Sequence, residues 1–140
     1  MNVEIVLTDT PPAEARETLV NGLLAFNAER AGPPGVRPLA LLIRDASTSV
    51  IGGLWGRTAW DWLFVELLFI PETLRGSGLG SDLMRRAEEE ARARGCRNAW
   101  LDTSSFQALG FYEKLGYRIF GTLQDYPPGH QRHFLQKSLL

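Results

Sequence analysis

The sequence of 140 residues lacks the features of several large functional classes. It has a single cysteine, Cys96, so no disulfide can form within the chain. The formal net charge of -1 provides no overall basic surface, which disfavours nucleic-acid binding as the main activity. No apolar run is long enough to span a membrane, and the N-terminus lacks the basic and apolar segments of a secretory signal. We therefore expect a cytoplasmic protein with no membrane partner and no nucleic-acid partner.

Histidine and cysteine are also too sparse for a metal centre. His130 and His133 have no spacing to each other or to Cys96 that would form a closed metal site, so no metal is predicted. Cys96 lies between a predicted helix and a predicted strand, a position typical of a small buried hydrophobe. A nucleophilic role for its thiol is the alternative.

The composition and the apolar pattern predict one α+β domain over residues 1–140. Hydrophobic residues make up 44% and charged residues 22%, as in ordinary globular domains. Alternation predicts strands at residues 3–7, 38–44, 49–56, 60–70, 98–103, 117–123 and 131–139. Helical periodicity predicts three helices: one from residue 10 or 11 to 29, one at 77–94, and one from residue 106 or 107 to 115. This order of elements predicts a mixed sheet.

A glycine-rich run, Arg75-Gly76-Ser77-Gly78-Leu79-Gly80, stands where a predicted strand gives way to a predicted helix. Glycines let the backbone approach a ligand closely, and the first amides of a helix have no intrahelical partner. The helix dipole and the guanidinium of Arg75 both favour phosphate. The run therefore predicts a site for a pyrophosphate-bearing cofactor, with a plain tight turn as the alternative.

The run fits neither of two common phosphate-binding patterns. Ser81 and Asp82 stand where a Walker loop needs Lys and then Ser or Thr, and Ser81 stands where a dinucleotide fingerprint needs glycine. With Arg75, Gly78 and Gly80 at its fixed positions, the run resembles the Q/R-x-x-G-x-G/A loop that binds coenzyme A in the GNAT-type N-acetyltransferase superfamily.

A second segment strengthens the resemblance. The superfamily pattern N-x-x-A-x-x-L/F-Y-E-K-x-G-F/Y is matched here by Ala108, Phe111, Tyr112, Glu113, Lys114, Gly116 and Tyr117. Ser105 stands where the family usually has Asn, so the contact of that Asn with the pantetheine arm must come from a hydroxyl or be absent. The two segments in this order are far more specific than either one alone.

The resemblance implies a three-layer αβα-like GNAT, or acyl-CoA N-acyltransferase, fold with a mixed, mostly antiparallel sheet. Its central strands splay apart, and the pantetheine arm of acetyl-CoA, the cosubstrate, lies in the opening. Leu68, Phe69 and Ile70 would then offer main-chain contacts to the arm. The other residues assigned to the cofactor are Arg75, Gly76, Ser77, Gly78, Leu79, Gly80, Ser81, Ser105 and Lys114.

The implied chemistry is direct attack of a primary amine on the thioester, which needs a proton donor and a proton acceptor. Tyr112 matches the tyrosine that protonates the departing thiolate in many family members; an aromatic packed on the pantetheine is the alternative. Glu66 is the candidate base, because it is an acidic residue in an apolar strand whose burial would make it a better proton acceptor. A Glu on a solvated strand face is the alternative, and Asp61 is the reserve.

The acceptor is poorly defined by the sequence. Trp55, Trp60 and Trp62 could line a pocket or pack in the core, and Tyr126 or His130 could stand over the acceptor or belong to a plain turn. The partner is thus an amine-bearing small molecule or a protein amine, and a homodimer is left open. Two rivals to an enzyme are a noncatalytic acyl-CoA sensor and a protein-interaction domain.

Overall fold

The computed structural model describes residues 2–140, which form two compact units. The first unit extends to Pro34 and contains one helix, α1 (Ala13–Ala31). The N–H of Gly32 closes this helix by donating to the carbonyl of Ala28 over 3.1 Å. The predicted strand at residues 3–7 is wrong, because these residues have no regular secondary structure. Apolar alternation alone does not make a strand, which exists only where a second strand satisfies its backbone groups.

The second unit, Gly35–Leu140, is built on a six-stranded sheet. Its elements are β1 (Arg37–Arg44), β2 (Val50–Ala59), β3 (Trp62–Phe69), a 3₁₀ turn (Glu72–Leu74), α2 (Leu79–Ala93), β4 (Asn98–Ser104), α3 (Leu109–Lys114), β5 (Arg118–Gln124) and β6 (Gln131–Ser138). The strand order is β1-β2-β3-β4-β6-β5. Only the β3–β4 pair is parallel. The prediction of an α+β fold with a mixed, mostly antiparallel sheet is therefore confirmed.

The parallel pair of strands separates halfway along its length. The ladder between β3 and β4 runs only from the pair Trp62–Asn98 to the pair Val65–Leu101. Beyond it, β3 continues along β2 to Phe69, while β4 continues along β6 to Ser104. The two strands are held by different neighbours, so the sheet opens between them.

A β-bulge in β3 lies at the point of separation. Trp55 is opposite Leu67 and Gly56 is opposite Val65, which leaves Glu66 as the extra residue. The two backbones are very close here, because a Cβ on Gly56 would stand 2.3 Å from the carbonyl oxygen of Phe64. A bulge bends its strand and increases the twist. The bend therefore coincides with the place where β3 leaves β4.

The core of this unit lies between the sheet and α2. Leu83, Met84, Ala87 and Ala91 are buried at helical spacing along α2. They belong to one cluster with the buried sheet residues Leu54, Leu63, Val65, Leu101 and Leu135. Cys96 is also part of this cluster, and burial raises the pKa of its thiol. Its predicted structural position is thus confirmed.

One acidic residue of α2 is buried in this core. Glu88 accepts hydrogen bonds from the hydroxyl of Tyr117 over 3.0 Å and from Nζ of Lys137 over 2.7 Å. Burial, and then the Glu88 carboxylate, raise the pKa of Tyr117, so its hydroxyl stays protonated and able to donate. A buried carboxylate is tolerated when it is paired and hydrogen-bonded in this way. The network joins α2, the segment after α3, and β6.

We predict that Glu88→Gln lowers the free energy of unfolding by about 1–3 kcal/mol, because it removes the negative charge that pairs with Lys137 and one of the two oxygens that accept from Tyr117 and Lys137. Chemical denaturation followed by circular dichroism measures this change. Glu89→Gln, one residue further along α2 and more than half exposed, is the matched control and should leave stability nearly unchanged. Equal effects of the two substitutions would contradict this account of Glu88.

Candidate active site

The separation of β3 and β4 creates a cleft of about 840 Å³, which we call the splay cleft. One wall is the part of β3 beyond Val65, whose edge toward β4 is unpaired. The other wall includes the end of β4 and the start of α3. The glycine-rich loop closes one end. The lining comprises Val65, Glu66, Leu67, Leu68, Phe69, Ile70, Leu74, Arg75, Gly76, Gly78, Leu79, Gly80, Ser81, Asp102, Thr103, Phe106, Gln107, Ala108, Phe111, Tyr112 and Arg132.

The glycine-rich loop has the backbone conformation that the sequence predicts. Gly78 caps α2 with φ 85° and Gly76 has φ 79°, a region that side chains with a Cβ rarely adopt. The first backbone N–H of the helix that makes a hydrogen bond is that of Asp82, which donates to the carbonyl of Gly78. The amides of Leu79, Gly80 and Ser81 have no acceptor among residues 2–140. Three donors and the positive end of the helix dipole thus face the cleft, which suits a phosphate group.

Two side chains brace this loop. Nε of Arg75 donates to the carbonyl of Ile70 over 2.9 Å, which ties the loop to the end of β3. The hydroxyl of Ser77 donates to the carbonyl of Leu74. Arg75 lines the cleft, whereas Ser77 does not. Arg75 therefore both fixes the loop and adds positive charge where phosphate is expected.

The two sequence motifs meet inside the splay cleft. A Cβ on Gly80 would stand 3.2 Å from Cζ of Phe111, so the start of α2 packs closely on α3. The neighbouring Tyr112 is only 7% exposed, and its ring packs edge-on against Phe111 and Tyr117, with centroid distances of 5.1 and 6.2 Å. The structure thus brings the predicted phosphate loop and the predicted proton donor to one cavity.

Tyr112 is suited to hold its proton at physiological pH. Its hydroxyl has no hydrogen-bond partner among residues 2–140, and the residue lines the cleft. Burial, and then the charge of Asp102, raise the pKa of Tyr112 to about 12. The phenol therefore stays protonated across the neutral and mildly alkaline range and can donate to a group in the cleft.

Glu66 lines the splay cleft, but its predicted burial is wrong. The side chain is exposed, because the bulge places this residue at the open end of the β3–β4 ladder rather than inside the sheet. It makes no ion pair with any residue in the described part of the chain. Asp61, the reserve base, lies in the turn before β3, at the opposite end of the strand from the cleft.

Sequence reasoning missed an ion pair in the cleft. Arg132 of β6 pairs with Asp102 of β4, and its guanidinium lies 4.9 Å from the ring centroid of Tyr126. An acidic residue inside an apolar strand, the signal that pointed to Glu66, was also present at Asp102. Its partner was not evident, because the β4–β6 register that brings the two strands together is set by tertiary pairing.

Three residues assigned to the cofactor lie outside the lining of the cleft, namely Ser77, Ser105 and Lys114. The hydroxyl of Ser105 accepts a hydrogen bond from the N–H of Gln131 over 3.1 Å, which links Ser105 to the first residue of β6. Lys114 is exposed at the end of α3. Gln107, two residues after Ser105, lines the cleft instead, and sequence reasoning did not select it.

The aromatic residues considered for the acceptor fall into two groups. Trp55, Trp60 and Trp62 are not in the lining of the splay cleft. Tyr126 and His130 do not line the cleft either, but each contacts a residue that does. Tyr126 lies beside Arg132, and His130 packs against Phe106 with a centroid distance of 4.9 Å.

No cluster of three or more His, Cys, Asp or Glu residues that could hold a metal ion occurs within residues 2–140. None of the helices in this range has the length and apolar character that crossing a membrane requires.

Comparison with known proteins gives a consistent picture. The model of the acetyltransferase (GNAT) family matches residues 5–117. An acetyltransferase of Agrobacterium fabrum is 42% identical over 135 residues, which are 96% of this chain and 98% of that protein. A blasticidin-S acetyltransferase of Streptomyces morookaense is 48% identical over 89 residues, 63% of this chain and 65% of that protein.

A solved structure extends the likeness to the fold. The crystal structure of an acetyltransferase from Agrobacterium tumefaciens has a TM-score of 0.93 and 42% identity, and the match covers 97% of this chain and 99% of that one. The family model, the relatives and this structure all agree with the two motifs that meet in the splay cleft. The chain belongs to the acetyltransferase (GNAT) family.

Proposed function

We propose that this acetyltransferase moves the acetyl group of acetyl-CoA to a primary amine by direct attack, with both substrates bound in the splay cleft. The observation that carries the proposal is the convergence of three features in one cavity. These are the unpaired edges of β3 and β4, the free amides at the start of α2, and the hydroxyl of Tyr112.

The residues present fit acetyl-CoA in two places. The amides of residues 79–81 and the side chain of Arg75 would hold the pyrophosphate. The cleft-facing edge of β3 at Leu68 and Phe69, with Ile70 after it, would pair with the amide groups of the pantetheine arm as an added strand does. The thioester would then lie near Tyr112, which lines the same cleft.

The reaction then needs three proton movements. The ammonium would first lose a proton to Glu66, directly or through water, and the lone pair of the resulting amine would form the C–N bond at the thioester carbon while the C–S bond breaks. Tyr112 would give its proton to the departing sulfur, and the second proton, which the nitrogen loses as the amide forms, would restore the Tyr112 phenol. Tyr112 is buried and Glu66 is exposed, which suits a donor inside the cleft and an acceptor at its mouth.

The acceptor proposed here is a small molecule with a primary amine. Glu66 and Asp102 provide two carboxylates beside the reaction centre, against the single guanidinium of Arg132, so this part of the cleft favours a cation. The relative from Streptomyces morookaense is named for acetylation of blasticidin-S, a small molecule. A protein amine is the second candidate. A cytoplasmic location and a single domain over residues 1–140 stay predictions of the sequence, which also leaves a homodimer open.

The function is tested by the release of free thiol from acetyl-CoA in the presence of a panel of small primary amines. We expect release with at least one amine, and mass spectrometry of that amine should show one added acetyl group. Gly78→Val is the matched loss-of-binding variant, because valine disfavours φ 85° although there is open space for its side chain. Failure of the wild-type protein to bind acetyl-CoA would refute the proposal.

Removal of the Tyr112 hydroxyl tests the proton donor. We expect Tyr112→Phe to keep the ring packing and acetyl-CoA affinity, and to lower turnover by roughly 10²-fold. Phe111→Leu, which alters the neighbouring ring but not the hydroxyl, controls for packing. The raised pKa of Tyr112, about 12, keeps its proton in place up to about pH 10. At any pH below that, the wild-type rate should show no decrease caused by loss of this proton. Equal turnover of Tyr112→Phe and wild type would exclude the role.

The role of Glu66 as the base is tested by its pH profile. Glu66→Gln should lower turnover most on the acidic side, where fewer amine molecules are already neutral, and leave acetyl-CoA affinity nearly unchanged. Glu72→Gln, at an exposed residue of the 3₁₀ turn that does not itself line the cleft, is the control. A wild-type profile for Glu66→Gln would leave Asp102 or water as the acceptor of the proton.

A further inference from the structure

The side-chain amide of Gln107 is held in one orientation by two hydrogen bonds. The N–H of Ser104 donates to Oε1 of Gln107 over 2.8 Å, and the hydroxyl of Thr103 donates to the same oxygen over 3.2 Å. A backbone N–H can only donate, so the atom that faces it must be the amide oxygen. The orientation of the amide thus follows from the hydrogen bonding.

The other end of this amide is a donor without a partner. Nε2 of Gln107 carries two hydrogens and makes no hydrogen bond with any of residues 2–140. Gln107 lines the splay cleft between the end of β4, at Thr103, and the helix that carries Tyr112. The side chain therefore offers fixed N–H groups to a ligand at this position.

The expected ligand has matching acceptors. The pantetheine arm of coenzyme A contains two amide groups, each with a carbonyl oxygen. Beyond Val65 and Leu101 the edges of β3 and β4 that face each other are unpaired, so backbone groups of both strands can meet these amides. Gln107, bonded to Thr103 and Ser104 at the end of β4, adds a side-chain donor with a fixed orientation there, whereas Ser105 does not line the cleft.

We propose that Nε2 of Gln107 donates a hydrogen bond to a carbonyl oxygen of the pantetheine arm and so positions the thioester beside Tyr112. Gln107 thereby takes the place that the sequence motif suggested for Ser105. The inference rests on the proposed function, because it requires coenzyme A to lie in the splay cleft. Thr103 and Ser104 act only through Gln107, by fixing the orientation of its amide.

The test compares two ligands by isothermal titration calorimetry. Coenzyme A contains the arm, whereas adenosine 3′-phosphate 5′-diphosphate is its nucleotide half without the arm. Gln107→Glu keeps an oxygen for Ser104 and Thr103 but replaces the donor with an acceptor. We expect it to weaken coenzyme A binding by about tenfold or more and to leave binding of the nucleotide half nearly unchanged.

Two further variants separate the donor from other effects. Gln107→Met removes the donor without adding charge and should also weaken coenzyme A selectively, whatever it does to the melting temperature. Gln124→Glu makes the same change at a glutamine of β5 outside the cleft, whose Oε1 also accepts a hydrogen bond, and should change neither affinity.

The outcomes are distinct. Selective loss of coenzyme A affinity in both Gln107 variants supports the assignment. Unchanged coenzyme A affinity, or an equal loss for both ligands, overturns it, because Gln107 would then have no contact with the arm or only a structural role. If the wild-type protein binds neither ligand, the proposed function itself is wrong, and that result is recognised before any variant is measured.

Discussion

The parting of β3 from β4 is the constraint on which the rest of this structure depends. Val65 and Leu101 are the last residues that pair across the two strands, and each strand then follows its other neighbour. The close approach of Gly56 to β3 allows the bulge at Glu66, which turns β3 away. Backbone groups that a closed sheet would satisfy internally are thereby left for a ligand that can pair like a strand.

The charges and the burial around this opening divide it into two chemical regions. The loop end offers free helix amides and Arg75, which suit phosphate. The rest of the lining includes a buried phenol, two carboxylates and one arginine, which suit a cationic amine and its loss of a proton. The buried hydrogen bonds of Glu88 join α2, which begins at the loop, to the segment that follows α3, the helix of Tyr112.

Much of the site could be predicted from the sequence because its chemistry is local. Glycines before a helix favour a tight turn, and the first amides of any helix lack an intrahelical acceptor. The structure has the turn at Gly76 and Gly78, and the free amides at residues 79–81. The strand ends of the sheet are within three residues of those predicted, since periodicity is also local. The family resemblance added the relation between the loop and Tyr112, which local patterns do not contain.

The features that sequence reasoning missed depend on partners that lie far apart in the chain. The exposure of Glu66 follows from a bulge opposite Gly56, and the Asp102–Arg132 pair follows from the β4–β6 register. The segment at residues 3–7 alternates like a strand but has no strand structure. The orientation of Gln107 depends on a turn that aligns it with Ser104.

The central claim, that the opening between β3 and β4 receives the pantetheine arm, is tested most directly by hydrogen exchange with and without coenzyme A. The account predicts slower exchange in two segments together, the end of β3 with the residue after it (residues 66–70) and the loop at residues 76–81, with β1 unchanged as the internal reference. Binding of coenzyme A without protection of residues 66–70 would contradict the account.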